Sequence, residues 1–167
     1  MKRLLPFMAL MLLLPVQAQT NNDNLNTQLA EMKTYFLAKD YDNFANFTYP
    51  KVIEMIGGKS TMVKATRQAM TRMENEGFSF LDLNFKEAST FVKNEGELQC
   101  TLTQVMLMQT PQGKVRSEST LIGISKDNGT NWTFIDASGK DKSVMLKYFP
   151  NLHRDLVIKP KSQQLVD

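Results

Sequence analysis

The spacing of apolar positions along the chain changes twice, and each change marks a change of element. Leu4 to Val16 is almost wholly apolar, preceded by Lys2 and Arg3 and followed by Gln17-Ala18. A positive start, an apolar run shorter than the ~20 residues of a membrane span, and the small residues Val16 and Ala18 flanking Gln17 together read as a secretory signal. Cleavage is expected between Ala18 and Gln19, so residues 1–18 form the signal peptide and residues 19–24, all polar, a disordered lead-in. The mature chain is then expected outside the cytoplasm, in a periplasm or secreted.

From Leu25 the period is helical. Leu25, Leu29, Met32 and Phe36 recur every three or four residues and predict an amphipathic helix. Asp40 is placed to cap a second, short helix carrying Phe44 and Phe47, and Pro50 suits the first position of a third that runs to Ile56. Gly57-Gly58 ends it. Ser60 is read as the cap of the next helix, with Met62, Ala69 or Met70, and Met73 facing inward, and Gly77 as its stop.

Beyond Gly77 the period falls to two. Leu81, Leu83 and Phe85 alternate with polar residues in a strand from about Phe78 to Glu87. A short strand near Phe91-Val92 turns at Asn94-Glu95-Gly96 into a long one, Glu97 to Gln109. Pro111-Gln112-Gly113 turns it back as Lys114 to Ser125, and Asp127-Asn128-Gly129 turns again into Trp132 to Asp136. A last helix starts at Asp141 with Met145, Leu146 and Phe149. Helices followed by a meander predict an α+β fold, N-terminal helices lying on one face of an antiparallel sheet. Residues 25–158 make a single domain, and 159–167 read as a polar tail. Strands this much longer than the usual ~5–6 residues tend to curl, and Gly123 offers a bend.

Charge narrows the partners. The formal charge of +3 loses Lys2 and Arg3 with the signal and ends near neutral, which argues against nucleic acid or an anionic membrane surface. No later segment is apolar for long enough to span a bilayer. Cys100 is the only cysteine and His153 the only histidine. No intrachain disulfide is possible, the common structural zinc sites cannot be assembled, and neither metal nor cofactor is expected. Alternation puts Cys100 on the apolar side of its strand as a core thiol. Gly57-Gly58-Lys59-Ser60 lacks the first glycine and the spacing of a phosphate loop.

The most specific local pattern is Ser125-x-Asp127-x-Gly129-x-x-Trp132, the Asp-box that recurs in sialidase propellers. Its chemistry is structural. The carboxylate accepts backbone N–H groups, glycine permits a positive φ, and tryptophan folds back over the turn. It occurs here once.

Softer candidates lie on the sheet. Leu98, Cys100, Leu102, Gln104, Met106 and Met108 share one face of the third strand. Arg116, Glu118, Thr120, Ile122 and Ile124 share one face of the fourth, and Asp136 follows Trp132 and Phe134 on the fifth. If they point into a concave side, Gln104, Glu118 and Asp136 line a pocket. Eleven methionines enrich the chain, and Met55, Met62, Met70, Met73, Met106 and Met108 fall at apolar periodic positions, suited to irregular core gaps or an adaptable ligand pocket.

The order of features resembles the cystatin-like fold of the nuclear-transport-factor-like superfamily, in particular its exported bacterial members. The resemblance is carried by Lys39-Asp40-Tyr41-Asp42-Asn43-Phe44, Thr48-Tyr49-Pro50, the Gly57-Gly58 break, Trp132-Thr133-Phe134-Ile135-Asp136 and Phe149-Pro150-Asn151-Leu152. It implies a cone of helices over a curved sheet, enclosing a pocket. Enzymes of that superfamily place an Asp and a His in the pocket, whereas this chain has no histidine among its helices and strands. The leading expectation is therefore an exported, non-enzymatic domain that binds a small apolar ligand or a protein. The alternatives are an isomerase, lyase or hydrolase using a pocket carboxylate such as Asp136 or Glu118, and a homodimer formed through Val105, Leu107, Ile122 and Ile124.

Overall fold

The computed structural model describes residues 16–167, with side chains from residue 22. The start and most of the apolar run of the expected signal lie outside the described residues. Helix α1 spans Val16–Leu37, α2 Tyr41–Phe44, α3 Pro50–Met55 and α4 Lys59–Asn75, with a 3₁₀ turn at Ala45–Phe47. Strands follow as β1 Ser79–Phe85, β2 Val92–Asn94, β3 Glu97–Thr110, β4 Gly113–Ser125 and β5 Thr133–Asp136, then α5 Lys142–Tyr148 and β6 Ser162–Val166. The fold is α+β, with an open, six-stranded antiparallel sheet. Among the described residues no helix is long and apolar enough to cross a membrane.

Local signals explain most boundaries. The Asp40 carboxylate accepts the Asn43 N–H at the start of α2, and Asp141 does the same for Val144 at the start of α5. Pro50 takes the first position of α3, where a missing N–H costs no intrahelical bond. Three expectations change. The backbone of α1 is already helical through 19–24, the expected lead-in. Gly58, at φ 98°, caps α4 in place of Ser60. Ser162–Val166, within the expected polar tail, joins the sheet edge as β6. Its side chains are mostly exposed, so no buried face imposed an apolar alternation on the sequence.

The sheet is built on β3 and β4, which pair from Leu98↔Ser125 to Thr110↔Gly113. β1 and β2 line the outer edge of β3. The outer edge of β4 is shared, with β5 along Leu121–Ile124 and β6 along Lys114–Glu118. A register shift between Phe80 and Asp82 breaks the simple alternation of β1. A bulge of this kind sets two residues against one and reverses the facing of what precedes it. Leu83 is therefore buried, whereas Leu81 stands 44% exposed and Phe80 turns inward beside Phe36.

Both faces of the sheet carry a core, at different places. Leu25, Leu29 and Met32 of α1 share one buried cluster with Leu98, Cys100, Leu102, Leu121, Trp132 and Phe134. On the opposite face, Ile122, Ile124 and Ile135 are buried with Tyr49, Met145, Phe149, Leu152 and Leu156. Ile122 and Ile124 are thus covered by the chain's own C-terminal segment and are not available to a dimer surface.

Candidate functional site

Leu98, Cys100, Leu102, Gln104, Met106 and Met108 of β3 do lie on one face, as their pairing with Ser125, Gly123, Leu121, Ser119, Ser117 and Val115 requires. Along that face the environment changes. Leu98, Cys100 and Leu102 are packed, whereas Gln104, Met106 and Met108 are half-buried and line a cavity of about 740 Å³. This volume lies within the ~300–1,000 Å³ of small-molecule sites.

The wall is methionine and phenylalanine. Met32 and Phe36 come from α1, Phe44 from α2, and Met62, Met70 and Met73 from one face of α4 at helical spacing. Phe80 and Leu83 of β1 enter together because of the bulge. At the rim Met55 of α3 and Tyr148 of α5 are 52% and 49% exposed. Asp136, Lys140 and Lys161 also line the cavity and are exposed.

The three pocket candidates separate. Gln104 and Asp136 line the same cavity; Glu118 does not. Glu118 pairs with Val105, on the other face from Ser117 and Met106, and is held by Lys86 at 2.8 Å and Arg116 at 2.7 Å. The hydrogen-bonding Lys86 ammonium lowers its carboxyl pKa, the reverse of what a desolvated general base requires. Asp136 accepts hydrogen bonds from the Ser138 backbone N–H and hydroxyl, a local turn that fixes the carboxylate at the rim.

The Asp-box assembles around its own turn. Ser125 Oγ donates to Asp127 Oδ1 at 2.8 Å and accepts the Gly129 N–H at 2.8 Å. Asp127 accepts the Asn131 N–H at 2.8 Å and its side-chain amide at 2.7 Å. The backbone bond from Asn131 is the main cause of its lowered pKa. Gly129 sits at φ 90°, and its carbonyl accepts Trp132 Nε1 at 3.1 Å. Helix α1 reaches the same turn: Asn24 donates to the Gly129 carbonyl, Gln28 donates to Thr130 O and accepts the Trp132 N–H. These bonds fasten the first helix to the sheet.

Below it, Cys100 is fully buried, and burial pushes its thiol up to about 12. Gly123 lies opposite it in the register. A Cβ there would stand 3.2 Å from Cys100 Sγ and 3.4 Å from the rings of Trp132 and Phe134. The glycine serves close packing at this point.

A buried polar cluster on the opposite face was invisible to sequence reasoning. Tyr49 donates its hydroxyl hydrogen to Glu97 Oε1 at 3.1 Å, while Asn151 and Gln99 donate to Glu97 Oε2 at 2.7 and 3.1 Å. Gln99 also donates to Asn151 O and accepts the His153 N–H. Burial, then the adjacent Glu97 carboxylate, raises the Tyr49 phenol above its ordinary range. Both Glu97 oxygens are occupied, so the cluster ties the C-terminal segment to β3. Apart from Glu97 and Gln99, which neighbour on β3, the bonded partners named lie 48 to 54 positions apart, and no local spacing announces them. His153 itself is half-buried, its Nδ1 accepting the Asp155 N–H.

No protein-family model matches this chain, and no curated protein matches it.

Proposed function

We propose that this protein is an exported domain that holds a small apolar ligand in the cavity between its helices and the Gln104–Met108 end of β3. The observation that carries the reading is the methionine- and phenylalanine-lined cavity of about 740 Å³. Unbranched thioether side chains adapt to irregular ligands and make favourable contacts with apolar and aromatic surfaces. The resemblance to the cystatin-like fold of the nuclear-transport-factor-like superfamily supports the same reading, because a cone of helices over a curved sheet encloses a pocket at this place. The signal sequence at residues 1–18 supports delivery outside the cytoplasm.

Binding is favoured over turnover by the cavity's composition. Its carboxylate among the described residues is Asp136, which is exposed and engaged by Ser138. General-base work requires a carboxylate within reach of substrate and tuned toward neutral pH, commonly by desolvation. Fluorescence titration of the mature chain with N-phenyl-1-naphthylamine, a neutral apolar probe, tests the reading. Saturable emission enhancement is expected, lost in Met106→Trp, which fills the cavity from β3. No enhancement, or the same enhancement in a folded Met106→Trp variant, would overturn it.

A further inference from the structure

The cavity is apolar along its wall but not electrically neutral at its rim. Lys140, on the turn before α5, and Lys161, just before β6, both line it and are exposed. Among the described residues no salt bridge engages either one. Against these two ammonium groups the lining sets one carboxylate, Asp136, which accepts the Ser138 N–H and hydroxyl. The rim therefore carries an excess of positive charge, with two flexible ammonium groups free to turn toward a bound anion. Deeper in, Met32, Phe36, Met70, Met73 and Met108 offer no charge and no strong donor.

Resting on the ligand-binding reading above, we infer that the ligand class is a single-chain anionic amphiphile, its chain along the methionine wall and its head group at Lys140 and Lys161. A neutral ligand gains no charge contact from the two lysines, and a cationic one meets them with repulsion. A single chain suits a cavity of about 740 Å³ that must also admit the head group at its opening. Met55 and Tyr148, exposed and also lining the cavity, offer the chain apolar contact at its opening.

Competition against N-phenyl-1-naphthylamine in low salt at pH 8 tests this with hexadecanoate, hexadecanol and hexadecyltrimethylammonium below their micellar concentrations. Hexadecanoate is expected to bind about tenfold more tightly than hexadecanol, the size of two screened ion–ion contacts at the surface, and the cation more weakly than either. In Lys140→Gln/Lys161→Gln the advantage of the acid over the alcohol should vanish while hexadecanol binding stays unchanged. Both lysines are exposed, and circular dichroism is the check on the fold of the variant. Shortening the acid should weaken binding about fourfold per methylene, the effect of losing one buried CH₂. Equal affinity for acid and alcohol, or an advantage that survives in the double variant, overturns the anionic head. Failure of all three amphiphiles overturns the ligand class; the broader binding reading falls with it only if the neutral probe also fails to enter.

Discussion

The two halves of β3 present the same face of the same strand, yet their surroundings differ. Toward Leu98, every position meets a filled core: Cys100 against Gly123, Leu102 beside Leu121, and Trp132 closing over the turn with α1 fastened to it. Toward Met108, the same alternation faces a cavity, and the residues change from leucine and cysteine to glutamine and methionine. Well-packed interiors lose stability when a methylene is removed, because neighbours relax only partly into the gap. A wall that already borders open space has little packing to lose. The contrast separates a half packed into the core from a half that borders open space.

The largest expected effect is at the packed end. Trp132→Ala removes a 2%-exposed indole and its bond to Gly129, and should cost about 3–5 kcal/mol in urea unfolding. A cost below about 1 kcal/mol would mean the hairpin end is not the fold's anchor. Two truncations on one face of one strand set the two ends against each other. Leu102→Ala, at 3% exposure, should cost about 2–5 kcal/mol, whereas Met106→Ala should cost about 1 kcal/mol or less. Equal costs would show that the cavity end is as tightly packed as the other.

A smaller effect concerns acid. The bonds to Asp127 favour its charged form, so the folded-state pKa lies below the unfolded value near ~3.9. The contribution is present above that unfolded value and is lost as pH falls through the folded one. Stability should therefore drop more steeply below about pH 4 in the wild type than in Asp127→Asn, by up to about 1 kcal/mol for an exposed carboxylate. Parallel profiles from chemical denaturation would remove Asp127 from the account.

The hairpin was legible in sequence because Ser125, Asp127, Gly129 and Trp132 lie within eight positions and interact mainly with one another. Asp40, Pro50 and Asp141 were legible for the same reason. Periodicity also grouped Gln104 with Met106 and Met108, but a period assigns a face and not a depth. It could not say where along that face the core ends and the cavity begins. Glu118 was misplaced because β4 is covered by different elements on its two faces, and only the assembled fold shows which face the helices close. Leu81 was misread because one bulge reverses an alternation. The Tyr49, Glu97, Gln99 and Asn151 cluster depends on long-range pairing, and β6 on an edge partner that needs no apolar pattern.

On the ligand-binding proposal, the Met106 end of the sheet bounds an occupied site. Native mass spectrometry of the protein purified gently from its own host tests it most directly. The expected result is a non-covalent adduct of one apolar, acidic molecule per chain, released on unfolding and absent from Met106→Trp prepared in the same way. A folded chain with no adduct, or an adduct that persists in Met106→Trp, would contradict it.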